Sequence, residues 1–367
     1  MEKLRSVFFL VAFVTACSPR APELRVAAPD APSVAVESAK LAKVTAPRLS
    51  PSLPEKPPAP EAPEPEQCKL EVKEKHPAGF YPSDAWPKGE VVLTFDDGPH
   101  PGKTPKVLEL LKKHQMPATF FLVGKNIDKR TYTLVQRMVA EGHTLGTHSY
   151  NHDVGMAVRN LGERSVEYIR GQHETTRVLI ELALVATSPE DFDALFVRVF
   201  EEKAGTYLPA GSLRTKWRAF AERHTEVLAE RGGRPYPMIF SRPPAGTPYV
   251  GLSTPDQKKL YDAALGRLGL LNVMWHGESG DTNPNRKHEL GFLTDNLARF
   301  SRKGGVLLIH DYIRTDALSS ALAGMAKNPE IRVVPIEAAV KRKYGCSSAV
   351  LGQSLAGSGS ALVAAKD

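Results

Sequence analysis

The stretch Val91-Val92-Leu93-Thr94-Phe95-Asp96-Asp97-Gly98-Pro99 decides how the rest of the chain is read. Its apolar run is rich in β-branched residues and short enough for a strand buried on both faces, and Gly98-Pro99 breaks it sharply. Two adjacent carboxylates are left at the strand's carboxyl end. In α/β folds that edge is where ligands bind, and two ionised Asp side chains there repel each other unless a cation or a shared proton intervenes. The alternative is an Asp-Gly turn in which Asp96 or Asp97 only caps the next helix.

Working outward, Thr104 is placed to cap a helix through Val107, Leu108, Leu110 and Leu111, with Pro105 at its first position. A strand over 118–123 follows. A second helix carries Tyr132, Leu134, Val135, Met138 and Val139 and ends at Gly142, and residues 144–147 form a third strand. This alternation predicts βα units in a parallel sheet. Further strands are expected at 238–240, 270–274, 306–309 and 331–336, with helices near 256–268 and 289–301. Between Gly155 and Pro235 the spacing of Val178, Leu179, Leu182, Leu184 and Val185, then Phe192, Leu195, Phe196, Val199 and Phe200, is helical, with no strand signal. This reads as a helical insertion at about 156–236, packed on the sheet as a lid or standing as a small domain. Residues 347–367, rich in Ser, Ala and Gly, read as a flexible tail.

The chain has 367 residues, 42% of them hydrophobic, which allows a large core in one to three domains. Lys3 and Arg5 precede the apolar run Val7 to Val14, too short to span a membrane, and the small residues that follow give residues 1–17 the layout of a secretory signal. Val14-Thr15-Ala16-Cys17 also resembles a bacterial lipobox, which implies cleavage before Cys17 and acylation there. The expected product is an exported protein, lipid-anchored through Cys17 to a bacterial membrane, in the periplasm or at the cell surface.

Residues 18–66 hold twelve prolines, no aromatic residue and seven acidic against six basic side chains. Such a segment cannot bury enough surface to fold and reads as a disordered tether, with a stretched limit on the order of 150 Å at ~3.1 Å per residue. The formal net charge of +7 therefore belongs mostly to the globular part, residues 67–346, and favours an anionic partner such as a cell-wall polymer. Lys and Arg are scattered without a dense stripe, which argues against nucleic acid. Cys68 and Cys346 sit at the two ends of that part, and an exported chain meets oxidising conditions, so a disulfide between them is a natural expectation.

After the third strand, His148-Ser149-Tyr150-Asn151-His152 spaces two imidazoles i and i+4, so that on one helical turn or a tight loop both rings can face one metal. Together with an Asp from the first strand end they make a three-ligand set with positions open to water. That is the layout of a catalytic metal centre, whereas structural zinc sites fill all four positions, usually with cysteines.

Thr94 to Pro99, His148 to His152, Arg242-Pro243-Pro244-Ala245-Gly246 and Leu308-Ile309-His310, taken in order, resemble the motifs of the polysaccharide deacetylases, carbohydrate esterase family 4. The likeness runs from about Gly89 to Val334 and is interrupted by the insertion. It implies an α/β fold, a deformed (β/α) barrel, and removal of acetyl groups from N-acetylated sugars in chitin-like or peptidoglycan chains with a divalent metal ion, commonly zinc. It further implies Asp97, His148 and His152 as metal ligands, Asp96 as general base, Arg242 as the group that aims and ionises that base, and His310 as general acid. The backbone amide of Ala245 becomes an oxyanion donor and Leu308 a wall of the acetyl pocket. Trp275-His276-Gly277-Glu278-Ser279-Gly280-Asp281-Thr282 departs from the family, which usually has Trp where Thr282 stands. Asp281 and Glu278 are then both candidates for tuning His310, Trp275 for substrate contact or core packing, and His276 for a further ligand or a chance polar residue. Ala245 stands where many members have Tyr, which suggests a differently shaped sugar site.

His76, His114, His173, His224 and His288 read as solvated, and His100 and His143, which flank the motifs, as candidates for substrate contact. The resulting expectation is a metal-dependent deacetylase acting on amide bonds of a glycan, with an O-acetyl glycan esterase and a non-catalytic glycan-binding protein as the rival readings.

Overall fold

The computed structural model describes residues 67–69, 78–159, 164–208 and 239–363, with side chains as far as residue 355. The signal expected at 1–17, the tether at 18–66, the remainder of the insertion, His76 and His224 lie outside the described residues. Nine strands are present among those described: β1 (Gly79–Phe80), β2 (Glu90–Asp96), β3 (Ala118–Leu122), β4 (Thr144–Thr147), β5 (Phe240–Ser241), β6 (Leu271–Val273), β7 (Gly277–Glu278), β8 (Gly305–His310) and β9 (Arg332–Val333). They join in the order β1-β6-β5-β4-β3-β2-β8-β7, with β9 added at the start of β2. Every pairing is parallel. The two ends of this path, β1 and β7, are not paired with each other, so the closure is incomplete and the fold is a deformed (β/α) barrel.

The described α-helices are α1 (Thr104–His114), α2 (Tyr132–Ala140), α3 (Arg164–Val185), α4 (Pro189–Phe200), α5 (Pro255–Leu268), α6 (Leu290–Lys303), α7 (Thr315–Lys327), α8 (Ile336–Tyr344) and α9 (Ser348–Val363), with short 3₁₀ turns at Gly124–Asn126 and Pro244–Gly246. All seven residues of β2 are buried, as expected of a parallel strand covered on both faces. Alternate side chains separate two cores. Leu93, Phe95, Phe120, Leu307 and Ile309 face the helical layer, while Val92, Phe121, Val273 and Val306 face inward and pack with Val340 and Tyr344 of α8. By the same alternation Thr94, Asp96, Leu308 and His310 point inward near the carboxyl end of the strands, where Asp96 is in register with His310.

The described part of the insertion is helical. Val178, Leu179 and Leu182 of α3 and Phe192, Phe196 and Phe200 of α4 are continuous with the core under the sheet, so these two helices pack on the sheet-based domain and share its core. Cys68 and Cys346 are joined by a disulfide across 278 positions.

Several expectations are corrected. Thr104 does not cap α1: it is the first helical residue, and its hydroxyl accepts from the His100 N–H and donates to Asp311. The segment read as a flexible tail contains α9, because Leu351 is fully buried in the inner core and Val350 and Leu355 pack beside it, a gain that outweighs its Gly and Ser content. The strand expected over 331–336 stops at Val333, since Pro335 ends it and Ile336 opens α8. The two-residue strands β1 and β7 and helices α7 and α8 are additions, the strands being too short for any periodicity to register.

Candidate metal centre

Asp96 ends β2 and Asp97 follows in a left-handed conformation (φ 72°), which Asp tolerates better than most residues. That turn sends the two carboxylates in different directions. Asp96, buried, accepts a hydrogen bond from Arg242 Nη1 to Oδ1 at 2.8 Å. Asp97 turns to the imidazoles, with Oδ1 3.2 Å from His152 Nε2 and 3.7 Å from His148 Nε2. Gly98 is required at the next position, because a Cβ there would lie 2.5 Å from Asp311 Oδ2.

His148 leaves the end of β4 and is buried; its Nδ1–H donates to the Arg242 carbonyl at 2.8 Å. That bond fixes the tautomer and turns the Nε2 lone pair toward Asp97. Burial lowers its pKa to about 3, against the pull of Asp97, so the ring is neutral as a ligand must be. His152, partly exposed, reaches the same point from a loop in which Ser149 (φ 64°) and His152 (φ 59°) are both left-handed. One donor atom each from Asp97, His148 and His152 lies within 4.8 Å of the others. Asp97 Oδ1 is buried and has no hydrogen-bond partner. An orphaned carboxylate oxygen facing two imidazoles fits a divalent cation, so the residues present suit the group that the sequence implies.

Arg242, fully buried just beyond β5, is held at several atoms. Its Nε donates to the Val273 carbonyl at 2.7 Å, Nη1 donates to Thr94 Oγ1 and to Asp96, and the guanidinium lies 4.3 Å from the centre of the Phe121 ring. Burial raises the Asp96 carboxyl above the usual carboxylate range, with Arg242 pulling the other way. A carboxylate so tuned is a better proton acceptor near neutral pH than a solvated one.

Across the site, His310 Nδ1 lies 2.8 Å from Asp281 Oδ1, and the His310 backbone N–H donates to Asp281 Oδ2 at 2.8 Å. Burial works against the imidazolium, but the hydrogen bond and charge of Asp281, helped by Asp96 and Asp97, prevail and raise the His310 pKa to about 9. Glu278, the rival to Asp281, is exposed on β7. Ala245 sits exposed and left-handed (φ 52°) in the turn Pro244–Gly246. The turn's own bonds use the N–H groups of Gly246 and Thr247, and the Ala245 N–H has no partner among the described residues. Leu308 is buried and joins none of the core clusters, while Trp275 packs at the edge of the inner core with its ring 5.7 Å from the Arg242 guanidinium.

The other histidines divide. His143 is buried against Phe120 and accepts from the Ala118 N–H, so it packs as a core residue. His173, read as solvated, is fully buried on α3 between Thr147 and Tyr261; its period along the helix coincides with the buried face, a signal that was present in the sequence. His276 packs on Trp86 and accepts from Val306 N–H, away from the triad. His100 and His288 are exposed and His114 is half-buried.

Asp311 went unremarked in the sequence. It is buried beneath the Asp96–Gly98 turn, its backbone N–H donates to the Asp96 carbonyl, and burial, followed by the nearby Asp97 and Asp96 charges, raises its pKa to about 7. Gln172 was also missed: it is buried on α3, and its Oε1 accepts from the N–H groups of Tyr150 and Asn151.

Residues 84–190 match the polysaccharide deacetylase family model. A peptidoglycan-N-acetylglucosamine deacetylase of Bacillus cereus is 48% identical over 111 residues, which are 30% of this chain and 37% of that one. A chitooligosaccharide deacetylase of Sinorhizobium fredii is 47% identical over 77 residues, 21% of this chain and 35% of that one. The chain thus spans little more than a third of the length of these curated relatives. A solved peptidoglycan N-acetylglucosamine deacetylase superposes with a TM-score of 0.46 at 24% identity, over 75% of this chain and 95% of that one. The segment matched by the family model contains Asp96 and the whole Asp97, His148 and His152 triad, and it is over this segment that the chain is similar to the polysaccharide deacetylases.

Proposed function

We propose that this protein is a metal-dependent hydrolase that removes N-acetyl groups from a glycan, with peptidoglycan or a chitin-like N-acetylglucosamine polymer as substrate. The observation that carries the reading is the convergence of the Asp97, His148 and His152 triad with two buried proton carriers, Asp96 and His310, whose pKa values are both raised. The names of the curated relatives support the substrate class. The two-imidazole, one-carboxylate donor set suits zinc among divalent ions. A cation held there supplies a Lewis acid that polarises a carbonyl and eases the ionisation of water.

The chain's own residues would then divide the proton work. Asp96 Oδ1 is committed to Arg242, which leaves Oδ2, 3.5 Å from His148 Nε2, to take the proton of the attacking water. His310 Nδ1 is committed to Asp281, which leaves Nε2 to protonate the leaving amine. The Ala245 N–H is the spare donor for the oxygen that gains charge during attack, Leu308 lines the acetyl pocket, and Trp275 forms its neighbouring wall. In the same proposal the protein is exported by residues 1–17, acylated at Cys17 and carried out to the cell wall by the tether at 18–66.

Acetate release from N-acetylglucosamine oligomers and from peptidoglycan, measured with added zinc and after chelation, tests the reading. Zinc-dependent release that chelation abolishes is the expected result. Zinc binding without acetate release from any N-acetylated glycan would overturn it, and release confined to O-acetylated glycans would reassign the chain as an esterase.

A further inference from the structure

We propose that Gln172 on α3 is the positioning residue that sets His148 and His152 at the spacing a cation needs; the proposal rests on the metal-dependent function above. The loop carrying both ligands has two left-handed residues in five, Ser149 and His152. Non-glycine residues hold that conformation only where the surroundings over-determine it. Part of the restraint comes from the turn at Gly124–Asn126 and from within the loop. The Ser149 carbonyl accepts from Gly124 N–H, the Tyr150 carbonyl accepts from Lys125 N–H, and Ser149 Oγ accepts from His152 N–H.

The carbonyls of Tyr150 and Asn151 are held by Lys125 and the Asn151 amide by Tyr207, while both N–H groups in the middle of the loop converge on one atom of α3. Gln172 Oε1 accepts from Tyr150 N–H at 2.9 Å and from Asn151 N–H at 3.2 Å. The amide cannot be reversed, because its Nε2–H donates to Tyr168 Oη at 3.2 Å while that hydroxyl donates to Asp153 Oδ2 at 2.7 Å. The next residue of the helix, His173, is 2.7 Å from Thr147 Oγ1, at the start of the same loop. Helix α3 therefore grips the ligand loop before His148, between the two ligands and, through Tyr168, just after His152. Gln172 itself is 1% exposed and is not among the triad or the proton-carrying groups, so it acts only through the loop. Outer groups of this kind commonly govern metal affinity by 10–100-fold.

The test uses the full chain, stripped of metal and titrated with Zn²⁺ by calorimetry, with near-ultraviolet circular dichroism as the check on folding. Gln172→Met keeps the volume and removes the acceptor, and is expected to weaken Zn²⁺ binding by about 10–100-fold. Gln172→Glu keeps an acceptor for both N–H groups and is expected to bind Zn²⁺ far more tightly than Gln172→Met. Tyr168→Phe, which frees the amide to rotate, is expected to give a smaller loss in the same direction and keeps the test usable if Gln172→Met does not fold. Unchanged Zn²⁺ affinity in folded Gln172→Met and in Tyr168→Phe would overturn the proposal, as would equal weakening by Gln172→Met and Gln172→Glu, since that would mark a merely structural role. A parent chain that fails to bind Zn²⁺ overturns both proposals. A parent chain that binds it without releasing acetate overturns only the deacetylase reading, because the affinity comparison still decides the role of Gln172.

Discussion

Replacing Asp281 by Asn isolates what keeps His310 protonated. The side chains of the pair are nearly buried, with 3% and 10% of their surface exposed for Asp281 and His310, and the Nδ1 to Oδ1 distance is 2.8 Å. The rise of the His310 pKa from its ordinary 6.5 to about 9 corresponds to roughly 3 kcal/mol favouring the imidazolium. Burial is the largest single influence on this ring and acts in the opposite direction. Once the carboxylate charge is gone, that influence is unopposed apart from the more distant Asp96 and Asp97, so the pKa of the variant should fall to 6.5 or below. NMR titration of the His310 ring in the metal-free protein measures this directly.

The sign also governs stability. A group titrating near 9 in the folded chain and near 6.5 in the unfolded one stabilises the fold fully below pH 6.5, and that contribution is lost as pH rises through about 9. Denaturant melts of the parent chain should therefore weaken between pH 6.5 and 9, and Asp281→Asn should flatten that part of the profile. With metal bound, the alkaline limb of kcat/KM should move to lower pH in the variant. A His310 that titrates near 6.5 in the parent chain, or identically in both proteins, would refute the assignment of Asp281 as the group that holds the proton on His310.

Asp96→Asn should lower kcat by about 10²–10⁴-fold while leaving Zn²⁺ affinity close to that of the parent, because it removes the proton acceptor and keeps the triad; acetate release and calorimetry read the two effects separately. Arg242→Met should leave Asp96 buried without its cation and cost about 3–5 kcal/mol in a urea melt near neutral pH, with part of the loss recovered as Asp96 is protonated at low pH. Replacing Cys68 and Cys346 by Ser should cost about 2–4 kcal/mol, since the bond closes a loop of 278 positions; a melt unchanged from that of the oxidised parent would show that the link does not constrain the chain.

The legible parts of this molecule were those encoded by local spacing. The β2 run, the Asp96-Asp97 pair at its end, the strand leading to His148 and the apolar strand leading to His310 each announce themselves within ten residues, and parallel pairing then brings their carboxyl ends to one rim. What the sequence hid depends on contacts between distant segments. Gln172 looks like any polar residue on a helix until α3 is laid beside the loop 22 positions earlier. Asp311 follows His310 and gives no sign that it lies under Gly98. The choice between Asp281 and Glu278 was a matter of where a short irregular connection turns, and β7 resolves it by leaving Glu278 on the outside. The tail was misread for a related reason: composition registered Ser and Gly, whereas the burial of Leu351 depends on a groove made by other elements.

The adjacent carboxylates at the end of β2 raise the question of how two negative charges coexist in a buried site, and the structure answers it differently for each. Asp96 is paired with Arg242 and His310 with Asp281, so both groups proposed to carry protons sit beside a partner of opposite kind. His148 is neutral because burial disfavours its cation. The ion-pair partners of Asp97 are the two imidazoles alone, and its Oδ1 is buried without a hydrogen bond; Asp311 Oδ1, beneath the same turn, also lacks one, but burial raises that carboxyl to about 7. Local charge balance and the unmet need of Asp97 Oδ1 therefore point to the same atom, which is where a divalent ion relieves the most unfavourable electrostatics in the site. On this reasoning Asp97→Asn should abolish tight Zn²⁺ binding while stabilising the metal-free fold, because it removes a carboxylate that adjoins Asp96 and has no Arg or Lys beside it. A variant that binds Zn²⁺ as the parent does, or whose metal-free form melts at lower denaturant, would show that the repulsion at the end of β2 is relieved in some other way.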